Sequence, residues 1–286
     1  MNKMRLLAFV GLLGLMAVSA NAQSPQTQRY EITQVTDDLY RAANNTHRTV
    51  FLVTDEGIVL ADPVNVEFAA WLKAELDERF DVPVRYVLYS HSHADHASGG
   101  ATFADTAVFV GHENMDAGIS AFSPEIAADI RSPDVTYSDR MVVRLGGQSV
   151  ELVHPGPAHS DDMSVIFFRE QRVGFAVDYA NVKRFPGRLR LYTFDQYASA
   201  IGAILALDID TVVIGHGNVG VREDLDDYIG FLRQLQAEVA AAIADGQSLE
   251  EAQESVQLHE YSHWLSFDER RAGLVAEAYA VLTQAP

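Results

Sequence analysis

The chain has 286 residues, 48% hydrophobic and 21% charged, enough for one large buried core with a small helical appendage. With 40 acidic against 21 basic side chains the formal charge is −19, which makes a phosphate backbone, and so nucleic acid, a poor partner. Cysteine is absent, so a disulfide framework and attachment of a lipid at an N-terminal cysteine are both excluded.

Residues 1–22 read as an export signal. Lys3 and Arg5 open it, an apolar run follows from Leu6 to Val18, and Ala20-Asn21-Ala22 supplies the small residues of a cleavage site. The run is shorter than the roughly 20 residues that a membrane span needs. Cleavage is expected after Ala22. The mature domain, 23–286, is then expected in the periplasm or outside the cell and free of the membrane.

From Tyr30 the pattern is of short strands, with turns at Asp37-Asp38 and Asp55-Glu56-Gly57. "VEFAAWLKAELDERF" carries apolar residues at helical spacing. "VRYVLYSH" is an apolar strand, and "TAVFVG" is another, followed by helix-like "HENMDAGISAF". A hairpin is expected at Gly146-Gly147, then strands "MSVIFFRE" and "RVGFAVDYA", a helix "FDQYASAIGAILAL" and a strand "TVVIGH". Helices dominate from about 222. Sheet and helix in both halves predict two sheets packed face to face with helices outside.

The segment "HSHADH", residues 91–96, holds the densest chemistry. Strand alternation puts His91 and His93 on one side, where they can share a metal; Asp95 and His96 follow in the turn and can face a second one. Neutral imidazole and carboxylate suit Zn²⁺ at about 2.0–2.2 Å. Completing such a site takes donors from other strand ends, and three are at hand: His159, Asp178 and His216.

"HSHADH", then "PGPAHSDD", "FAVD" and "VIGHG" in this order resemble the metallo-β-lactamase superfamily from about Tyr30 to Gly217. The resemblance implies an α/β fold, an αββα sandwich of two mixed sheets with helices on the outer faces and metals at one edge between the sheets. It implies that His91, His93 and His159 hold one zinc, that Asp95, His96 and His216 hold the other, and that Asp178 bridges them. Two such cations about 3.5–4 Å apart share a water and bring its pKa near neutrality, and Asp95 would orient that water and relay its proton. Iron or manganese in place of zinc is also compatible with these donors.

Other residues have weaker claims. "HEYSH", 259–263, matches the zinc-protease pattern if helical, with Glu260 as base and Glu277 as third ligand; the competing role is packing. Asp62 ends a strand and is either a turn starter or a brace behind the metals. His154 reads as a strand end and His112 as a helix start, while His47 is placed to reach over the site from a hairpin. Lys183 and Arg184, with Arg188 and Arg190 nearby, form a basic cluster in an acidic chain. They are candidates to hold a substrate carboxylate or phosphate, or else a solvated edge.

Fold does not fix the substrate. The absence of cysteine removes the β-lactamase subclasses with a Cys ligand. Asp178 draws the reading toward glyoxalase II and lactonase chemistry, and export draws it toward β-lactams. The expectation is an exported dinuclear zinc hydrolase acting on a small carbonyl substrate, a β-lactam first. Lactonase, thioesterase and phosphoesterase activity on the same metals are the alternatives, and a non-catalytic metal-binding protein is a further one.

Overall fold

The computed structural model describes residues 29–189 and 193–284; the expected export signal with its cleavage site, and Arg190 of the basic cluster, lie outside them. Strands β1 (Tyr30–Gln34), β2 (Leu39–Asn44), β3 (His47–Thr54) and β4 (Gly57–Leu60) form successive antiparallel pairs. Helix α1 (Val66–Arg79), capped by Asn65 Oδ1 accepting from Phe68 N at 2.9 Å, crosses to β5 (Val84–Leu88), which runs parallel to β4. The single turn α2 (Ala94–Ala97), strand β6 (Val108–His112), helices α3 (Met115–Ser120) and α4 (Pro124–Ala127) and strand β7 (Val135–Tyr137) complete a seven-stranded sheet in the order β1 to β7.

The second sheet starts with the hairpin of β8 (Arg140–Leu145) and β9 (Gln148–Val153). Gly146 and Gly147 turn it, both at positive φ, which glycine adopts without steric cost. Strands β10 (Val165–Phe168) and β11 (Val173–Phe175), helix α5 (Phe194–Leu205), and strands β12 (Thr211–Val213) and β13 (Val219–Val221) follow, in the sheet order β13-β12-β11-β10-β9-β8. Helices α6 (Arg222–Ala244), α7 (Leu249–Ser255) and α8 (Phe267–Gln284) end the described chain. No helix among the described residues is long and apolar enough to cross a membrane.

Period-two alternation sorts the strand residues into layers. Val50, Leu52 and Val59 face Leu152, Ile166, Phe168 and Phe175 between the sheets. Their neighbours Phe51, Ile58 and Leu60 face outward onto Phe68, Leu72 and Leu76 of α1. Beyond the second sheet, Val165, Phe167 and Val212 pack on Ile201, Ile204, Leu232 and Val275 of α5, α6 and α8. Two mixed sheets with helices on both outer faces make the expected αββα sandwich. Each fully buried Leu, Ile or Phe contributes about 1.5–3 kcal/mol, so the three layers hold the strand ends in fixed register. Strand β11 stops at Phe175, earlier than its apolar run suggests, and Asp178 just beyond takes a left-handed φ of 58°.

Candidate metal centre

The segments that leave β5, β9, β11 and β12 bring the acid and imidazole side chains together at one rim of the sandwich. Ring contacts link His91 to His93, His96 and His159 at centroid distances of 4.5, 5.0 and 5.6 Å. His93 Nδ1 and His159 Nε2 converge to 2.9 Å. Asp178 Oδ2 lies 3.4 Å from His159 Nε2 and 3.7 Å from His91 Nε2. Donor atoms of His91, His93, His159 and Asp178 fall within 4.8 Å of one another.

A second group adjoins the first. His96 Nε2 and His216 Nε2 are 3.0 Å apart. The other oxygen of Asp178, Oδ1, is 3.4 Å from His216 Nε2, and its Oδ2 is 3.8 Å from His96 Nε2. Asp95 Oδ2 stands 3.4 Å from His216 Nε2 and 3.7 Å from His96 Nε2. All seven residues singled out by the sequence therefore meet at one place, with Asp178 between the two groups. Donor separations of this size match the edges of a coordination polyhedron with 2.0–2.1 Å bonds, about 3.3 Å for a tetrahedron.

A buried carboxylate sets the protons behind these rings. Asp62 accepts from Ser90 N at 2.7 Å and from the Ser90 hydroxyl at 2.6 Å. Ser90 Oγ, its proton so committed, is left to accept from His91 Nδ1 at 3.0 Å. His91 then presents the bare lone pair of Nε2, which is buried without a hydrogen-bond partner and aimed at the cluster. An apolar void would not leave such an atom orphaned; a cation satisfies it, and this is the strongest sign that the donor set fits a metal. Asp62 Oδ2 also lies 3.3 Å from His96 Nδ1, an ion pair without hydrogen-bond alignment. Asp62 is thus a brace behind the donors, not only a turn starter.

The electrostatics differ between the groups. Burial and the neighbouring rings of His96, His93 and His159 hold His91 well below the ordinary imidazole pKa, so it is neutral. Burial also works against a proton on His96, but the carboxylates of Asp62, Asp178 and Asp95 outweigh it and push its pKa up to about 9. Burial would raise the Asp95 carboxyl; hydrogen bonds from His216 and His47 overcome that and keep it far below the carboxylate range. Asp95 is therefore an acceptor throughout neutral pH.

Three local devices hold the donors. Asp178 sits at its left-handed φ with its carbonyl accepting the Tyr197 hydroxyl, a strained backbone fixed by its surroundings. At Gly215 a Cβ would lie 2.7 Å from His96 Cε1 and 2.5 Å from Val177 Cγ1, so only glycine lets β12 deliver His216 beside His96. Asp162, buried, accepts from Ser92 N at 2.7 Å and pins the loop that carries His91 and His93. The sequence offers no signal that separates Asp162 from its neighbour Asp161.

The cluster opens into a cavity of about 650 Å³, lined by His93, Asp95, His159 and His216 and also by Arg184, Arg188 and Arg270. No carboxylate among the described residues lies within ion-pair distance of these three arginines. Arg184 is set by a parallel bridge to Leu265, with Phe185 N donating to Leu265 O at 3.0 Å. Arg270 comes from α8, too far along the chain for sequence spacing to associate it with the site. Lys183 does not line the cavity; its ammonium is 3.5 Å from Asp224 Oδ1.

The remaining candidates take structural roles. His259–Tyr261 is a 3-10 turn, not an α-helix, so His259 and His263 do not share a helical face. Both are exposed, and the proposed third ligand Glu277 accepts from Leu189 N instead. Tyr261 packs on Trp264 and Phe231, so the segment anchors the C-terminal helices, and Leu265 just beyond it fixes the wall at Arg184. His112 ends β6 rather than starting a helix, and stacks on His154 at 4.1 Å.

Residues 46–216, from the hairpin before His47 to the last donor, match the family model of the metallo-beta-lactamase superfamily. The chain belongs to this superfamily. Among curated relatives, the α subunit of 2,4-dinitroanisole O-demethylase from Nocardioides sp. (strain JS1661) is 24% identical over 191 residues, 66% of this chain and 56% of that subunit. The chain thus spans little more than half of that relative. The type 2 metallo-beta-lactamase of Elizabethkingia meningoseptica is 27% identical over 190 residues, 60% of this chain and 70% of that one. Its counterpart from Bacillus cereus is 25% identical over 183 residues, 60% and 67%. A solved metallo-beta-lactamase from Pontibacter korlensis shares the fold, with a TM-score of 0.64 at 21% identity over 72% of this chain and 99% of that one. The matched stretch runs from β3 to β12, and α6 to α8 lie beyond it.

Proposed function

We propose that this superfamily member is a hydrolase that works with two cations, zinc suiting the donors best, on a small anionic carbonyl substrate. The observation that carries the reading is Asp178, whose two oxygens face the two donor groups. His91, His93 and His159 would hold one ion, Asp95, His96 and His216 the other, with Asp178 between. Bound there, the pair of ions supplies Lewis acidity for the carbonyl and lowers the pKa of a shared water. The chain's own residues do the rest. Asp95, anionic and facing the cavity, would accept a hydrogen bond from the attacking water and so orient it. Arg184, Arg188 and Arg270, which line the same cavity, bind the anionic part of the substrate and leave its carbonyl to the metal donors.

A β-lactam, cyclic and carboxylated, meets these requirements, and two of the relatives are named as metallo-beta-lactamases. The position of Asp178 supports lactones and thioesters as the second reading. The export pattern of residues 1–22 and the lack of cysteine favour a periplasmic or secreted protein that meets small molecules, without nucleic acid or membrane as partner. Purified, zinc-loaded protein should be assayed against nitrocefin, a lactone, a thioester and a phosphodiester. Turnover of a carbonyl substrate that is lost with His91→Ala/His93→Ala is the expected result. Turnover of the phosphodiester alone, or activity indifferent to those substitutions, would overturn the proposal.

A further inference from the structure

One more ring nitrogen faces the donors. His47 opens β3, and its backbone is stitched to the segment after β12: it forms an isolated antiparallel bridge with His216. Arg48 N donates to Gly215 O at 2.8 Å, and Gly217 N donates to Thr46 O at 3.0 Å. These bonds hold the His47 ring edge-on to His216 at 4.6 Å and 6.1 Å from the His96 ring. His47 Nε2 lies 3.4 Å from Asp95 Oδ2, and donor atoms of His47, Asp95 and His216 fall within 4.8 Å of one another. This set shares His216 with the set formed by His96, Asp178 and His216.

We propose that His47 is a further ligand of the cation held by Asp95, His96 and His216, an inference that rests on the two-cation reading above. The two positions then differ in kind. The first has three imidazoles and one carboxylate, a set that satisfies four-coordinate zinc. The second has three imidazoles and two carboxylates, which exceeds a tetrahedron and calls for a five- or six-coordinate ion, zinc with an expanded shell or Mn²⁺, Fe²⁺ or Co²⁺. The hairpin that carries His47 belongs to the first sheet, and His216 to the second. The second cation would therefore tie the two sheets together at the rim.

Titration of metal-free full-length protein with Co²⁺, followed by calorimetry and visible absorption, tests this. The wild type should take up two equivalents. In His47→Ala the first equivalent should bind unchanged, which also reports that the variant is folded. The second should weaken by about tenfold or more, with more intense visible bands as its coordination number falls. His47→Gln keeps a hydrogen-bond donor for Asp95 but offers only a poor ligand. If it restores the wild-type second affinity and spectrum, His47 merely positions Asp95 and the ligand assignment is overturned. Unchanged second-equivalent binding in both variants overturns it too. Failure of the wild type to bind two equivalents overturns the two-cation reading itself, and this inference with it.

Discussion

No hydrogen bond joins Asp62 to His91, yet the carboxylate of one decides which nitrogen of the other is protonated. The link is Ser90, which gives both its amide and its hydroxyl proton to Asp62 and takes the His91 Nδ1 proton in return. The lone pair at His91 Nε2 is the product of this chain, and the rest of the site depends on it.

Asp62→Ala should therefore damage metal binding without removing a ligand. Affinity for the cation is expected to fall by about 10–100-fold. The fold should lose about 3–5 kcal/mol, since His96 is left buried without its carboxylate and two Ser90 donors go unpaired. Metal titration and urea unfolding of the metal-free protein check the two effects separately.

Asp178→Asn separates charge from backbone. Asparagine tolerates the left-handed conformation that Asp178 adopts, so stability should change by no more than about 1 kcal/mol. The lost anion should weaken the second cation and cut turnover. Zinc stoichiometry equal to the wild type at limiting metal would remove Asp178 from between the ions.

Loading should depend on pH unequally. His91 is neutral already, whereas His96 must give up a proton whose pKa stands at about 9. Affinity at the position of His96 should rise by up to about tenfold per pH unit through the neutral range, with proton release. His91, neutral already, adds no proton to that release. In the metal-free protein the raised pKa of His96 stabilises the fold fully below its ordinary value of 6.5, and this contribution fades as pH rises through 9. Zinc titrations in weakly buffered solution at pH 6.5 and 8.5 would register the difference.

Arg184→Ala combined with Arg270→Ala should raise KM for an anionic substrate about tenfold or more, with a small change in kcat. A neutral analogue should be unaffected. Lys183→Ala should leave KM unchanged, because that ammonium is engaged by Asp224. A KM rise confined to Lys183→Ala would reassign the substrate contact.

The donors were legible because each follows an apolar strand and carries a side chain with few uses at such a position. The sandwich was legible for a related reason: period-two alternation in β3 and β4 sends Val50 and Leu52 inward and Phe51 outward. What sequence hid is set by tertiary approach. Arg270 reaches the cavity from α8, past the "HEYSH" turn and the Leu265 that bridges to Arg184, and that turn looks like a helix motif until its backbone is seen. Gly215 is one glycine among 19 until His96 is found against it. Lys183 and Arg184 are neighbours in the chain with opposite fates, one paired with Asp224 and one facing the cavity.

Anomalous diffraction at the zinc edge, from crystals of zinc-loaded protein, tests the central claim most directly. Two peaks should lie on either side of the Asp178 carboxylate, one among His91, His93 and His159 and the other among Asp95, His96 and His216. A single peak remote from Asp178, or a peak at His259 and His263 in their place, would contradict it.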